Sequence, residues 1–162
     1  MTIAVGQKIP SVTIKQATPE GGADVDPAAL FAGKKVVMFS LPGAFTPTCS
    51  QKHLPGYVHE LPALKAKGVD IVACLSVNDA WVMKAWAEQH DALGKIVMLA
   101  DGSAQFSKAL GIELDLTKAQ MGMRCGRGVF VIEDGVVKSV DMEAPGKFEV
   151  SNVESCMIKL GA

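Results

Sequence analysis

Chemistry is concentrated in Pro42-Gly43-Ala44-Phe45-Thr46-Pro47-Thr48-Cys49, a stretch that ends on a cysteine between a strand signal and a helix signal. The preceding run Val36-Val37-Met38-Phe39-Ser40 is short, apolar and rich in β-branched residues, and reads as a buried strand. Leu54, Tyr57, Val58, Leu61 and Leu64 follow at helical spacing. Thr46 stands where an N-cap belongs and Pro47 at the first helical position, so Cys49 is the third helical residue. A thiol there faces unpaired backbone N–H groups and the positive end of the helix dipole. Such surroundings lower a thiol pKa from its free value of about 8.5 and favour the thiolate, the nucleophilic form. The plainer reading, a small buried hydrophobe, is outweighed by the polar flanks and the capped helix. Thr46 is expected to cap the amide of Cys49, a role compatible with touching a substrate.

The arginines form the second feature. Sixteen residues are Lys or Arg, and the only arginines are Arg124 and Arg127, in Met123-Arg124-Cys125-Gly126-Arg127-Gly128. A solvated surface uses the two cations interchangeably, whereas a site that needs a planar, permanent, multi-donor cation does not. An arginine beside Cys49 would stabilise its thiolate and hold a polar substrate. The plainer alternative is a pair of surface charges.

These residues need a scaffold, and the remaining sequence supplies one. Val12 to Lys15 and the turn signal Thr18-Pro19-Glu20-Gly21-Gly22 suggest a hairpin. Asp26-Pro27 opens one helical turn that Gly33 ends. The helix carrying Cys49 contains Pro55 and Pro62, and Pro55 is expected to set residues 47–54 apart as a separable first segment. Val69 to Val77 reads as a central strand. Asn78 or Asp79 caps a helix with Trp81, Val82, Ala85 and Trp86 on one face. Ile96 to Ala100 is a strand, 104–110 a helix, and 111–126 a loop. Glu133-Asp134-Gly135 joins two strands, and a helix from Asn152 to Leu160 is capped by Ser151. Strands alternating with helices and closing on a hairpin imply a three-layer α/β domain with a mixed sheet.

The 162 residues are 49% hydrophobic and 20% charged, as expected for one globular domain, and the net charge of −1 with no basic run argues against nucleic acid as a partner. No apolar stretch reaches membrane-spanning length and the N-terminus lacks signal-peptide character, so the expectation is no membrane and a cytoplasmic location; an organellar one would require removal of a targeting segment. The positive mean hydropathy suggests a large core or an apolar subunit interface. Cys49, Cys74, Cys125 and Cys156 form no CxxC pair and no zinc spacing, so neither a metal nor a disulfide framework is expected. GxGxxG and GxxxxGK[ST] are absent.

Pro42 to Cys49 carries the PxxxTxxC signature of peroxiredoxins and resembles the PGAFTPxCS form of their type II group, the atypical 2-Cys or peroxiredoxin-5-like proteins. The similarity extends to His53-Leu54-Pro55-Gly56-Tyr57, Ser76-Val77-Asn78-Asp79, Leu99-Ala100-Asp101 and the arginine-bearing strand entry, nearly the whole chain. It implies an α/β fold of thioredoxin-like type, three-layer α/β/α with a central mixed β-sheet and a short N-terminal hairpin extension, over residues 1–162 as one domain. By position, Cys49 resembles the peroxidatic cysteine, Thr46 the threonine that contacts the peroxide, Pro42 the proline that shields the pocket, and Arg127 the strand-entry arginine. Family members usually carry an aromatic directly after that arginine, where this sequence has Gly128.

The resemblance implies reduction of hydrogen peroxide and alkyl hydroperoxides through a Cys49 sulfenic acid. It also implies a homodimer that needs no cofactor. Cys74 matches a second cysteine of plant and animal members and is the candidate resolving thiol, with Cys125 a weaker one; a structural role for Cys74 is the alternative. The C-terminal cysteine of animal members has no match near Val150 or Ser151, which favours recycling by glutathione, glutaredoxin or thioredoxin. Three other readings compete. A thiol–disulfide oxidoreductase would need CxxC, but Thr46 occupies the position of its first cysteine. A cysteine hydrolase would use His53, four residues after Cys49, although a helix-surface role is the ordinary one for such a histidine. A peroxide-sensing relay or chaperone would differ only in lacking turnover.

Overall fold

The apolar strand signals assemble into one seven-stranded sheet in the computed structural model, which describes residues 1–161. The strands are β1 (Ile14–Thr18), β2 (Gly21–Val25), β3 (Lys35–Leu41), β4 (Ile71–Ser76), β5 (Val97–Ala100), β6 (Glu113–Leu116), β7 (Gly122–Cys125), β8 (Gly128–Glu133) and β9 (Val136–Met142). The helices are α1 (Pro27–Phe31), α2 (Leu54–His59), α3 (Leu61–Ala66), α4 (Ala80–Gln89), α5 (Gln105–Leu110) and α6 (Val153–Lys159). The main sheet runs β2-β1-β5-β4-β3-β8-β9. Its centre is parallel (β3 with β4, β4 with β5) and its flanks are antiparallel, which makes it mixed.

The period of two along β3 divides the interior. Val37, Phe39 and Leu41 face one core with Leu54, Leu64, Trp86 and Cys156 of the helical segments, while Val36 and Met38 face the other with Phe31 and Phe106. Helices therefore cover both faces, giving the three layers of a thioredoxin-like fold. β3 is the shared axis: its end delivers the cysteine loop, and its antiparallel neighbour β8 begins one residue after Arg127.

Several local expectations are corrected. Residues 111–126 are not a loop but contain the hairpin β6–β7, whose four-residue strands lie outside the main sheet and are exposed or half-buried except at Cys125, too short to announce themselves. Trp81 and Trp86 do not share a face. At 100° per residue, five positions leave them about 140° apart, and Trp86 is fully buried while Trp81 is 73% exposed. Asn152, not Ser151, caps α6, its side chain accepting from the Ser155 amide at 2.8 Å. Of the two candidates before α4, Asp79 is the cap, accepting from Val82 N at 2.8 Å.

Pro55 leaves a specific mark. Its ring crowds the carbonyl of residue 51 and it offers no N–H, so an α-helical ladder cannot run through it undisturbed. The chain widens over Cys49–His53 into a π-helical turn in which the Leu54 amide donates to the Cys49 carbonyl, and only then resumes as α2. Pro62 is the second residue of α3, which starts after a break at Glu60. The segment bearing Cys49 is thus structurally distinct from the helix after it.

Candidate active site

The loop from β3 to the π-helical turn is tied from three sides. Asn78 Oδ1 accepts from the Ala44 amide at 3.0 Å and from the Ser76 hydroxyl at 2.6 Å, which gives Asn78 its use once Asp79 has taken the cap. Arg124 donates from Nε to Met121 O at 2.9 Å and from Nη1 to Pro42 O at 3.3 Å. A Cβ on Gly43 would lie 2.8 Å from that Nη1, so a side chain there would push the Arg124 guanidinium aside. The Thr46 hydroxyl donates to Gly43 O at 2.7 Å. This differs from the expected cap on the Cys49 amide: with its proton committed to Gly43, Thr46 offers lone pairs to a ligand. On the far side, Trp86 Nε1 donates to Ser50 Oγ at 2.9 Å and locks the π-helical turn to α4.

Cys49 is fully buried, and its sulfur accepts from Arg127 Nη2 at 2.9 Å. The other terminal nitrogen, Nη1, lies 2.8 Å from His53 Nδ1. A guanidinium can only donate, so Nδ1 is the acceptor and the imidazole proton resides on Nε2, which donates to Ser151 O at 3.0 Å. The Tyr57 hydroxyl donates to the same carbonyl at 2.8 Å. Phe148 packs edge-on to His53 at 4.9 Å between centroids, with the Arg127 guanidinium carbon 5.7 Å from its ring centre. Of the two arginines, Arg127 therefore meets the sulfur and Arg124 braces the loop.

His53 departs most from expectation, being fully buried rather than on a helix surface. Burial first, and the Arg127 charge second, push its pKa down to about 3. Both ring nitrogens are occupied, leaving no lone pair to deprotonate a substrate, which argues against the hydrolase reading. The depressed pKa has a consequence for stability. Between about pH 6.5 and 3 the unfolded chain binds a proton at this residue that the folded chain refuses. Its contribution, on the order of a few kcal/mol, is fully present above pH 6.5 and is lost as the pH falls toward 3. Urea midpoints from pH 7 to 4 should therefore drop less steeply in His53→Gln than in the parent; equal slopes would contradict this assignment.

A cavity of about 180 Å³ opens beside the cluster, lined by Pro42, Thr48, Gly126, Arg127 and the segment Glu143–Phe148. Arg127 joins this cavity to the buried sulfur, and Pro42 forms part of its wall. Burial would push the Glu143 carboxyl up, but hydrogen bonds from the Ser151 hydroxyl and from the amides of Glu149, Ser151 and Val150 hold it below the usual range.

The other cysteines are buried free thiols. Cys74 sits fully buried in β4 opposite Phe39, and burial, followed by the neighbouring Cys49 and Cys125, pushes its pKa well up. Cys125 lies in the core on the other face of the sheet from Cys49, donates to Leu41 O at 3.1 Å, and is pushed by burial up to about 12. Burial pushes Cys156 up to about 11.

The chain that carries this arginine-bound cysteine on a thioredoxin-like sheet matches known proteins over nearly its whole length. The Redoxin family model matches residues 4–157. The chain is 47% identical over 162 residues to the chloroplastic peroxiredoxin-2E-2 of rice, covering 96% of this chain and 72% of that one. It is 40% identical to peroxiredoxin-2B of Arabidopsis thaliana, covering 96% of each. The chain belongs to the peroxiredoxins. A crystal structure of reduced Prx3 from Vibrio vulnificus in complex with hydrogen peroxide superposes on this peroxiredoxin with a TM-score of 0.94 at 52% identity, covering 98% of this chain and 99% of that one. As a peroxiredoxin it is a thiol-dependent peroxidase and an antioxidant oxidoreductase. Where family members usually place an aromatic after the arginine, this peroxiredoxin has Gly128, and the space is filled from β9: a side chain at 128 would collide with Met142 Sδ. The substitution leaves Arg127 within reach of Cys49.

Among the described residues no helix is long and apolar enough to cross a membrane. Phe148, Ser151 and Glu143 escaped the sequence reading as site residues, and His53 entered it only as the partner of a cysteine hydrolase or as a helix-surface residue. For His53 a signal existed, since it falls four residues after Cys49 on the same helical stretch. For the others, more than 90 residues away in sequence, no local pattern marks the contact.

Proposed function

We propose that Cys49 is the peroxidatic thiolate, reducing hydrogen peroxide and alkyl hydroperoxides. The observation that carries this reading is the 2.9 Å contact between Arg127 Nη2 and Cys49 Sγ. The sulfur attacks the distal oxygen of ROOH, an S–O bond forms as the O–O bond breaks, and RO⁻ leaves to be protonated to water or an alcohol. Sulfur is oxidised by two electrons to the sulfenic acid and the peroxide is reduced by two. Arg127 and the Cys49 amide stabilise the charge building on the peroxide oxygens. Thr46, whose hydroxyl points its proton at Gly43, accepts from the peroxide O–H and orients it. Pro42 shields the pocket from bulk water.

The sulfenic acid is recycled by an external thiol: glutathione with glutaredoxin, or thioredoxin. One thiol condenses with it to a mixed disulfide with loss of water, and a second exchange releases Cys49. Cys74 remains a possible resolving residue, but its place in the centre of the sheet and its raised pKa support the external route. Cys125 is the weaker candidate because the sheet lies between it and Cys49. Residues 1–162 act as one domain, in the cytoplasm, and pair as a homodimer; Phe45 and Trp81, 51% and 73% exposed, support an apolar interface. The test is turnover. With excess hydrogen peroxide, the protein should consume many equivalents when supplied with glutathione and glutaredoxin, or with thioredoxin and its reductase. A single stoichiometric burst with every reductant would replace the enzyme by a peroxide sensor.

A further inference from the structure

We infer that Glu143 is a positioning residue for Arg127, acting through a closed ring of hydrogen bonds. The inference rests on Cys49 and Arg127 being the pair that meets peroxide. The ring starts on the main chain, where the Glu143 amide donates to Arg127 O at 2.8 Å and fixes the backbone of the arginine. The Glu143 carboxylate then gathers three consecutive amides: Glu149 N at 2.8 and 2.9 Å to its two oxygens, Val150 N at 2.9 Å and Ser151 N at 2.8 Å, together with the Ser151 hydroxyl at 2.7 Å. Ser151, fully buried, turns its carbonyl onto His53 Nε2 at 3.0 Å. His53 Nδ1 accepts from Arg127 Nη1 at 2.8 Å, and the ring closes on the residue where it began.

The carboxylate does more than cap a turn. Segment 144–147 is exposed, so little but the two ends of this clasp holds it over the cavity. The same clasp carries Phe148 against His53 and Arg127. Without the carboxylate, three amides and a hydroxyl lose one acceptor together, and no other acceptor for these amides is seen among the described residues. The Ser151 carbonyl would then be held from the side-chain side alone, by Tyr57 and His53. As it shifts, His53 would shift with it, loosening the contact that keeps Arg127 Nη2 on the sulfur.

The test separates positioning of the guanidinium from intactness of the fold. Reduced protein is mixed with hydrogen peroxide in a stopped-flow instrument, and separately alkylated at Cys49 with iodoacetamide, a neutral reagent that does not need the arginine as an oxyanion donor. Glu143→Ala should lower the second-order constant for peroxide about 100-fold, the effect of a displacement of about 1 Å at a reacting centre. Alkylation, which needs the thiolate but no oxyanion donor, should fall by less than about 10-fold. Glu143→Gln keeps one acceptor oxygen and should lose about 10-fold. If Glu143→Ala does not fold, Glu143→Gln decides alone by the same split between the two reagents. Unchanged peroxide rates, or peroxide and alkylation rates falling by the same factor, overturn the inference. Should Cys49→Ser retain peroxidase activity, the failure belongs to the proposed function, whereas loss in Cys49→Ser with full activity in the Glu143 variants condemns this inference alone.

Discussion

Cys49→Ser should reduce peroxide consumption to the uncatalysed background with every reductant, the largest effect expected of any single substitution. A serine hydroxyl in that position is almost wholly protonated at neutral pH and cannot accept oxygen in a reversible two-electron step, so both the nucleophile and the redox carrier are lost. Cys74, Cys125 and Cys156 cannot substitute, since burial pushes each thiol up and none is shown in contact with a guanidinium. Because Cys49 lies fully buried and its sulfur exchanges for a smaller oxygen, the fold should survive. The check is peroxide consumption beside a thermal melt: activity gone with a cooperative transition retained is the expected pair.

Arg127→Lys should lower the second-order constant for hydrogen peroxide by about 10² to 10³-fold, although the charge is kept. The guanidinium bridges two acceptors from separate nitrogens, the Cys49 sulfur at 2.9 Å and His53 Nδ1 at 2.8 Å, while its plane lies near Phe148. A single ammonium nitrogen on a flexible stem cannot reproduce that fork. Arg127→Met, which also removes the charge, should fall further still. Arg124→Lys should cost much less, because Arg124 holds backbone carbonyls of the loop rather than the sulfur. Rates within a few-fold of the parent for Arg127→Lys would remove the directed guanidinium from the mechanism.

Much of the scaffold could be read directly because its signals are local. The cysteine loop sits between an unbroken apolar strand and a proline-initiated helix, and Asp134-Gly135, both with positive φ, announces the β8–β9 hairpin. The two arginines stood out by their rarity, and one of them does meet the sulfur. What escaped depends on distance along the chain. Hairpin β6–β7 is short, and only Cys125 of its eight strand residues reaches the core, too little to impose a legible period. His53 looked like a surface residue because its partners, Arg127 and Ser151, arrive from 74 and 98 positions away. The Thr46 hydroxyl was assigned by the statistics of N-caps, yet the carbonyl of Gly43 within its own loop captured the proton. The π-helical turn at Cys49–His53 was signalled by Pro55, but only as an interruption, since a missing N–H says that a ladder must break without saying how.

The decisive measurement is site-resolved trapping of the first oxidation product. Reduced protein would be treated with one equivalent of hydrogen peroxide in the presence of dimedone, digested and read by mass spectrometry. The expected result is the sulfenic-acid adduct on Cys49, with Cys74, Cys125 and Cys156 unmodified, and with the adduct strongly diminished in Arg127→Lys at the same time point. An adduct mainly on another cysteine, or one on Cys49 that forms equally fast in Arg127→Lys, would contradict the claim that the guanidinium and this sulfur form the reacting pair.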